Sequence, residues 1–356
     1  MSTNNVRKVL FASLVLCVVL CSCTNNRDSL ERWDKLFMVT RELVSSSLLD
    51  EELILGRPAA LEYVDSSLFI YDSLGDSLFM LIDLNDENRV YRFGQKGQGS
   101  NEFLLPFAFG SLPSDTLLGV YDLYTRKLRR VNPRQIKKGV EDYSVLYEDS
   151  LGSIGLYATR FGTYLGKGFY KENMLSLSGD VMGRKYFFEY PYRDSHERGI
   201  PNYLRGMAYQ GRLCFNTSLD RFVYAMGECP IFMLFSVNDS GIVKTYEWVG
   251  GYPEYKTEET EEATSAPLSA DNINTFVGAY ATDRYVYLLY SGQTFREVRE
   301  RTFQGSVVYR LAWDGSPVDK LWLDYPSVMI CVSPDNKVLY SLADKGELEI
   351  VQYPLE

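Results

Sequence analysis

Histidine is almost missing from this chain of 356 residues: there is one, His196. That excludes the common His-rich zinc sites and leaves room for at most one His-dependent catalytic centre. Positive charge is also scarce, with 37 Lys and Arg against 47 Asp and Glu for a formal charge of −10. Without a basic face to neutralise phosphates, nucleic-acid binding is excluded. No CxxC pair, metal-ligand spacing or G-x-S-x-G elbow occurs, and long helical periodicity is nearly absent. What is present is a core: 46% of residues are apolar and 14% aromatic, too many for a disordered chain.

The N-terminus stands apart from that core. Arg7 and Lys8 precede an apolar run from Val9 to Cys21, interrupted only by Ser13. Thirteen residues at about 1.5 Å each span roughly 20 Å, short of a bilayer's hydrocarbon layer, so the run reads as a signal-peptide core. It ends in Leu20-Cys21-Ser22-Cys23, which resembles a bacterial lipobox. The resemblance implies cleavage after Ser22 and diacylglycerol on the Cys23 thiolate, with a soluble secreted protein or an uncleaved anchor as the alternatives. Residues 1–22 are then the lipoprotein signal, 23–35 a lipid-anchored polar tether, and 36–356 a single domain. The mature chain has 334 residues, and 35 basic against 47 acidic ones give it a charge of −12. Two or more acyl chains anchor stably where one does not. By analogy with enterobacterial sorting, Thr24 in place of Asp favours the outer membrane, with the body facing either periplasm or cell surface. Of the mature cysteines, Cys23 is acylated and Cys214, Cys229 and Cys331 remain. In an oxidising compartment Cys214 and Cys229, fifteen apart on neighbouring strands, are the pair a disulfide would join, but buried free thiols are the reading preferred to a bridge.

Short β-branched and aromatic runs recur, separated by Asp, Asn, Gly, Ser and Pro. A unit of strand, Asp-containing turn and strongly apolar strand can be read six times. It occurs at Leu61–Tyr71, Phe107–Tyr121, Tyr157–Leu177, Leu213–Ala225, Phe276–Leu289 and Val328–Leu342. Taking Phe69, Leu117, Met174, Phe222, Tyr285 and Val338 as equivalent, the steps are 48, 57, 48, 63 and 53 residues. Each unit continues into a second hairpin, as at Phe79 to Phe93 and Val307 to Leu323. Four strands per unit of this length is β-propeller arithmetic. Residues 39–356 divide into six blades of 53 or seven of about 45, and the six matches select an all-β, six-bladed propeller of four-stranded antiparallel blades. A strand within 36–56 is expected to pair with the last blade and close the ring, leaving no open edge.

Between the first two units lies Arg92-Phe93-Gly94-Gln95-Lys96-Gly97-Gln98-Gly99-Ser100-Asn101-Glu102-Phe103. It resembles the F-G-x-x-G-x-G-P-x-E-F turn after the first blade of TolB-like six-bladed propeller lipoproteins of Gram-negative anaerobes, with Ser100 where that pattern has Pro. The stretch Val307 to Gln352, with Trp313-Asp314-Gly315 and Pro334-Asp335-Asn336-Lys337, is similar to the same family. The resemblance is weakest over 130–200 and implies a fold and an address but no reaction. Physically, Gly94, Gly97 and Gly99 are expected to supply positive-φ positions for an inter-blade crossover, with Glu102 taking backbone N–H groups or pairing Lys96, and Phe103 leading into a strand. A phosphate cradle does not fit, since no helix follows.

Other candidates are weighed the same way. His196, in Asp194-Ser195-His196-Glu197-Arg198, reads as a surface-loop residue. The acidic stretch 252–271 reads as a solvated, mobile inserted loop, with a calcium or cationic-partner site as the sharper alternative. Thr294 to Arg301 reads as a charged loop with internal pairing, or as a lip contacting an anion or glycan. The whole is expected to be a monomeric, non-catalytic binding or scaffold lipoprotein with no cofactor and no metal. Its partner would be an envelope protein, glycan or peptide. The rival is a metal-assisted hydrolase or lyase using carboxylates and Tyr in the propeller channel.

Overall fold

Each Asp-containing turn folds its two apolar strands into a hairpin, and the second hairpin of each unit completes a sheet. The computed structural model describes residues 26–49, 53–113, 116–150, 152–179, 183–259 and 264–355, so the expected signal segment and lipid-bearing Cys23 lie outside the described residues. Six blades surround a central channel. Blade 1 comprises Pro58–Val64, Ser67–Asp72, Phe79–Asp83 and Arg89–Phe93; blade 2 comprises Pro106–Ser111, Leu118–Asp122, Lys127–Val131 and Val145–Glu148. Blade 3 is built from Gly155–Ala158, Tyr164–Lys167, Leu175–Gly179 and Gly183–Phe187, and blade 4 from Gly211–Asn216, Arg221–Met226, Ile231–Val237 and Ile242–Val249. Blades 5 and 6 are joined by one long strand, Pro317–Val332. Its first part is the fourth strand after Ile273–Ala281, Tyr285–Thr294 and Gly305–Ala312, and its second part is the innermost strand before Val338–Asp344 and Leu348–Pro354.

The ring closes through the N-terminal segment. Ser46–Ser47 pairs antiparallel with Gln352 and Val351 as the fourth strand of blade 6. Thr40–Leu43 adds a parallel strand outside blade 5, aligned with Lys320–Leu323. The expected closing strand within 36–56 is therefore present. This antiparallel connectivity gives two faces. Turns between first and second and between third and fourth strands lie on a hairpin face; turns between second and third strands and the blade-to-blade connections lie on a crossover face.

The aromatic excess packs the blades. Second and third strands are sandwiched between neighbouring blades, and every residue of Ser67–Asp72 and Phe79–Asp83 is buried. Aromatic pairs bridge successive blades: Phe69 with Phe109 at 5.7 Å, Tyr157 with Phe215 at 6.2 Å, Phe232 with Phe276 at 5.7 Å, and Tyr63 with Tyr340 at 6.2 Å. The hairpin turn of blade 1 places both Asp65 and Ser66 at positive φ, the conformation a two-residue turn matching strand twist requires. At the opposite end of the second strands, a buried Asp ties down the incoming crossover. Asp122 accepts from Leu104 and Leu105 N–H at 2.6 and 3.0 Å and from Tyr124 and Thr125 N–H at 3.0 and 2.9 Å. Asp72 does the same for Gly56 and Arg57, both at 2.6 Å.

Two expectations are corrected, and one left open is decided. In blade 3 the second strand is Tyr164–Lys167, and Met174-Leu175-Ser176-Leu177 falls on the third. The true strand is four residues long with Gly166 at its middle, where a Cβ would sit 2.5 Å from Ser176 Oγ, so it lacks the apolar run that marks the others. Second, residues 26–35 do not form a tether. Asn26–Asp34 is a helix whose Leu30 and Trp33, one turn apart, are buried on the blades. Trp33 stacks on Trp248 at 4.7 Å and meets Phe37, Phe232, Phe276 and Tyr309 within 5.9 Å. Asp34 accepts from Tyr309 Oη at 2.6 Å and from Lys320 Nζ at 2.8 Å. The open choice concerns the cysteines: Cys214, Cys229 and Cys331 are all free, as the free-thiol reading has it. Cys214 lies opposite Val223, whereas Cys229 lies beyond the strand end at Met226, about 10 Å further along, too far for the Cα approach of a bridge.

Candidate functional site

The innermost strands of all six blades line the central channel, which has two halves. The hairpin-face half, about 310 Å³, is walled by turn residues including Asp65, Ser218 and Asp283. Its acids are engaged: Asp65 with Arg134 at 2.8 Å, and Asp283 accepting from Asn216 Nδ2 at 3.0 Å and from the Ser218 hydroxyl. The crossover-face half, about 150 Å³, is mostly apolar and contains Glu62, Tyr157, Lys167, Arg212 and Cys214, the first and last reaching both halves.

Lys167 and Tyr157 are buried, Glu62 and Cys214 half-buried, and Arg212 is exposed to the channel. Burial pushes Glu62 up to about 8, and it has no hydrogen-bond or ion-pair partner among the described residues. Lys167 donates from Nζ to Gly211 O at 2.8 Å and lies 4.6 Å from the centroid of the Tyr224 ring. Burial, aided by the Arg212 charge, brings Lys167 down to about 7. Arg212 donates from Nε to Val277 O at 3.4 Å. Burial pushes the Cys214 thiol and the Tyr157 hydroxyl up, so both stay protonated at neutral pH. None of Glu62, Lys167 and Arg212 is singled out by sequence reasoning. The available signal was a charged residue inside an otherwise apolar first strand, as in Leu61-Glu62-Tyr63 and Arg212-Leu213-Cys214; Lys167 fell in the misassigned part of blade 3.

The crossover face is lopsided. Over blades 1 and 2 it exposes Ile54, Leu74, Leu105, Phe107 and Tyr124, between 43% and 80%, with Phe107 lining the channel, beside the polar Arg57, Asp76 and the Gln95 to Asn101 crossover. Over blades 3 to 5 it is raised by insertions. Ser195–Arg198 and Asn202–Ala208 are short helices, and the first carries exposed His196 under an Asp194 cap. Of the acidic stretch 252–271, in which 260–263 lie outside the described residues, both ends are pinned rather than freely solvated. Tyr255 bridges Leu268, Asn272 bonds both backbone groups of Glu254, and Arg193 donates to Pro253 O and pairs with Glu254 at 2.8 Å. The pairing of Thr294 to Arg301 is external as well as internal: Thr294 and Glu297 form a capping box, while Glu297 also pairs with Arg27 and Arg296 with Asp271. Among the described residues no three His, Cys, Asp or Glu side chains converge to hold a metal ion.

The Gly-rich segment is the crossover from blade 1 to blade 2. Gln95–Lys96 pairs in parallel with Glu102–Phe103. Only Gly94 of the three glycines has positive φ, at +72°. Gly97 and Gly99 are needed for a different reason: the Glu102 carboxylate lies over them, accepting from Gly99 N–H at 2.7 Å, and a Cβ on Gly97 would fall 2.0 Å from its Oε2. Phe103 is buried edge-on to Phe79 at 4.9 Å, beneath the Arg129 guanidinium.

A model of the family described as TolB-like 6-blade propeller-like matches residues 39–335. Among solved structures, a member of the duf4221 family from Bacteroides vulgatus has TM-score 0.54 at 11% identity, covering 89% of this chain and 97% of its own. A protein from Bacteroides fragilis thought to be exported has TM-score 0.50 at 11% identity, covering 88% and 98%. At such identities the likeness is one of fold alone. No curated protein matches the sequence.

Proposed function

Because this chain belongs to the TolB-like six-bladed propeller-like family, we propose that it is a non-catalytic binding propeller, held at the outer membrane through acylated Cys23, that engages an envelope protein on its crossover face. The observation that carries this reading is the apolar sector around the channel mouth over blades 1 and 2, which no other part of the described chain covers. Exposed aliphatic and aromatic side chains on a rigid ring favour a protein surface over a glycan, which needs polar groups beside its stacking rings. The lipobox supports the anchor. With the helix docked from Asn26 onward, a Cys23 anchor three residues away leaves about 10 Å of chain, which keeps the body close to the lipid.

The anchor is tested by the mass of the Cys23 peptide and by membrane fractionation of Cys23→Ser. Diacylated Cys23 in wild type and release of the variant are expected; unmodified Cys23 rules the anchor out. The binding face is tested by capture from solubilised membranes with wild type and with the Leu74→Asp/Tyr124→Asp double variant. Equal capture by both contradicts the assignment.

The metal-assisted enzyme reading draws on the displaced Glu62 and Lys167, the kind of perturbation found at catalytic sites. Its donor set is thin, because Glu62 is the single carboxylate lining the crossover half of the channel and a hard divalent cation takes several oxygen ligands. A stoichiometric divalent ion in the purified protein would favour it.

A further inference from the structure

The crossover half of the channel holds two cations, and its one carboxyl among the described residues, Glu62, is neutral below about pH 8. Lys167 enters from the second strand of blade 3 and is 8% exposed, and Arg212 from the first strand of blade 4. They are close enough for the Arg212 charge to disfavour that of Lys167, and no carboxylate offsets either. Lys167 is buried while Arg212 is exposed to the channel; a buried ammonium beside a second positive charge costs free energy that an intervening anion would repay. The long-range field does not explain them, since the protein as a whole is acidic.

The rest of the wall defines the anion. Around the cations it is aliphatic and aromatic, lined by Leu213, Val277, Val328, Ile330 and Phe107. The cavity of about 150 Å³ equals the volume of roughly five waters. A planar carboxylate matches the guanidinium fork, and a tail of a few carbons matches the wall. Phosphate, strongly hydrated and without an apolar body, fits the charge but not the wall. We propose that Arg212 and Lys167 bind a short-chain monocarboxylate in the crossover half of the channel, with its carboxylate on the two cations and its apolar tail toward Phe107. The proposal goes beyond the membrane-held binding role and needs neither lipid nor partner, so either can fail alone.

The site carries its own pH dependence. Lys167 is faced by Arg212 and Tyr224 of blade 4, and Glu62 by Tyr157 of blade 3, Cys214 of blade 4, Tyr280 of blade 5 and Cys331 of blade 6. The tyrosines and thiols are raised by burial and stay neutral, leaving Lys167 and Glu62 to titrate between pH 6 and 9. Rising pH removes the Lys167 charge and creates one on Glu62, and both changes oppose an anion.

The test is calorimetric titration of the purified full-length protein in detergent with butyrate, n-butanol and inorganic phosphate, repeated on Arg212→Gln and Glu62→Gln. Butyrate is expected to bind at one site, weakening at least about tenfold from pH 6.5 to 8.5 as the competent fraction falls. Arg212→Gln should weaken it at least about tenfold; Glu62→Gln should retain binding and reduce the alkaline loss. Arg212 faces the channel water, and an unchanged melting temperature of its variant shows that the fold is intact. Silence with butyrate, equal binding of n-butanol, tighter binding of phosphate, or butyrate binding unaffected by Arg212→Gln each overturns the proposal.

Discussion

Trp33→Ala separates a docked N-terminal helix from a tether. Trp33 is 2% exposed and touches five aromatic rings contributed by the N-terminal segment and blades 4 and 5. Truncating a buried Trp to Ala costs about 3–5 kcal/mol through lost transfer and the cavity left behind. The neighbours are large and fixed in strands, so collapse into the space is limited and the upper half of that range is expected. In a protein of this size each kcal/mol moves the midpoint by about 2 °C, so the melting temperature should fall by about 8–10 °C. Thermal melts followed by far-UV circular dichroism read this, and limited trypsin digestion reads the helix directly, since Arg27, Arg32 and Lys35 lie on or beside it. Cleavage at Arg32 should accelerate in the variant before the blades are cut. A melting temperature within about 1 °C of wild type, with Arg32 cut equally fast in both proteins, would refute the docking argument.

Other outcomes follow from the same structure. Deleting residues 26–49 removes the closing strand and exposes the edge of Leu348–Pro354; lower stability and concentration-dependent aggregation are expected in light scattering, and unchanged stability would show the ring closes otherwise. Asp122→Ala leaves four backbone N–H groups without their acceptor, two in the blade 1–2 crossover and two in the turn after its own strand, for a loss of about 3 kcal/mol or more in urea unfolding. Glu62 is an acid whose folded-state value is raised to about 8. Its neutral form is the one the fold favours, so the stability it contributes is full below the unfolded value and declines as pH rises to about 8. Glu62→Gln should therefore match wild type near pH 4 and exceed it by about 1–2 kcal/mol at pH 9, discounted from the full linkage because channel water reaches the side chain; a constant difference across that range would remove Glu62 as the titrating group.

Much of the propeller could be read from the chain because second strands are buried on both sides. Ser67–Asp72 and Arg221–Met226 must be dense in apolar residues, and a dense strand after an Asp turn is visible without coordinates. Tyr164–Lys167 was missed because Gly166 presses against Ser176 and Tyr170, so close approach replaced the apolar signal. Trp33 was missed because one large ring and Leu30 anchor nine otherwise polar residues. Glu62, Lys167 and Arg212 come from three strands on three blades, and their proximity depends on ring closure, which no local pattern encodes. The Gly-rich turn was legible as a crossover, yet the reason for Gly97 and Gly99 is the Glu102 carboxylate, a contact rather than a dihedral requirement.

The central claim, a membrane-held propeller that binds through its crossover face, is tested most directly by site-specific photocrosslinking in intact cells. A photoreactive residue replaces Tyr124, 71% exposed on the crossover face, or Glu87, exposed in a turn on the hairpin face. A discrete protein adduct from position 124 and none from position 87 is the predicted result. Adducts of equal yield from both positions, or from position 87 alone, would contradict the account.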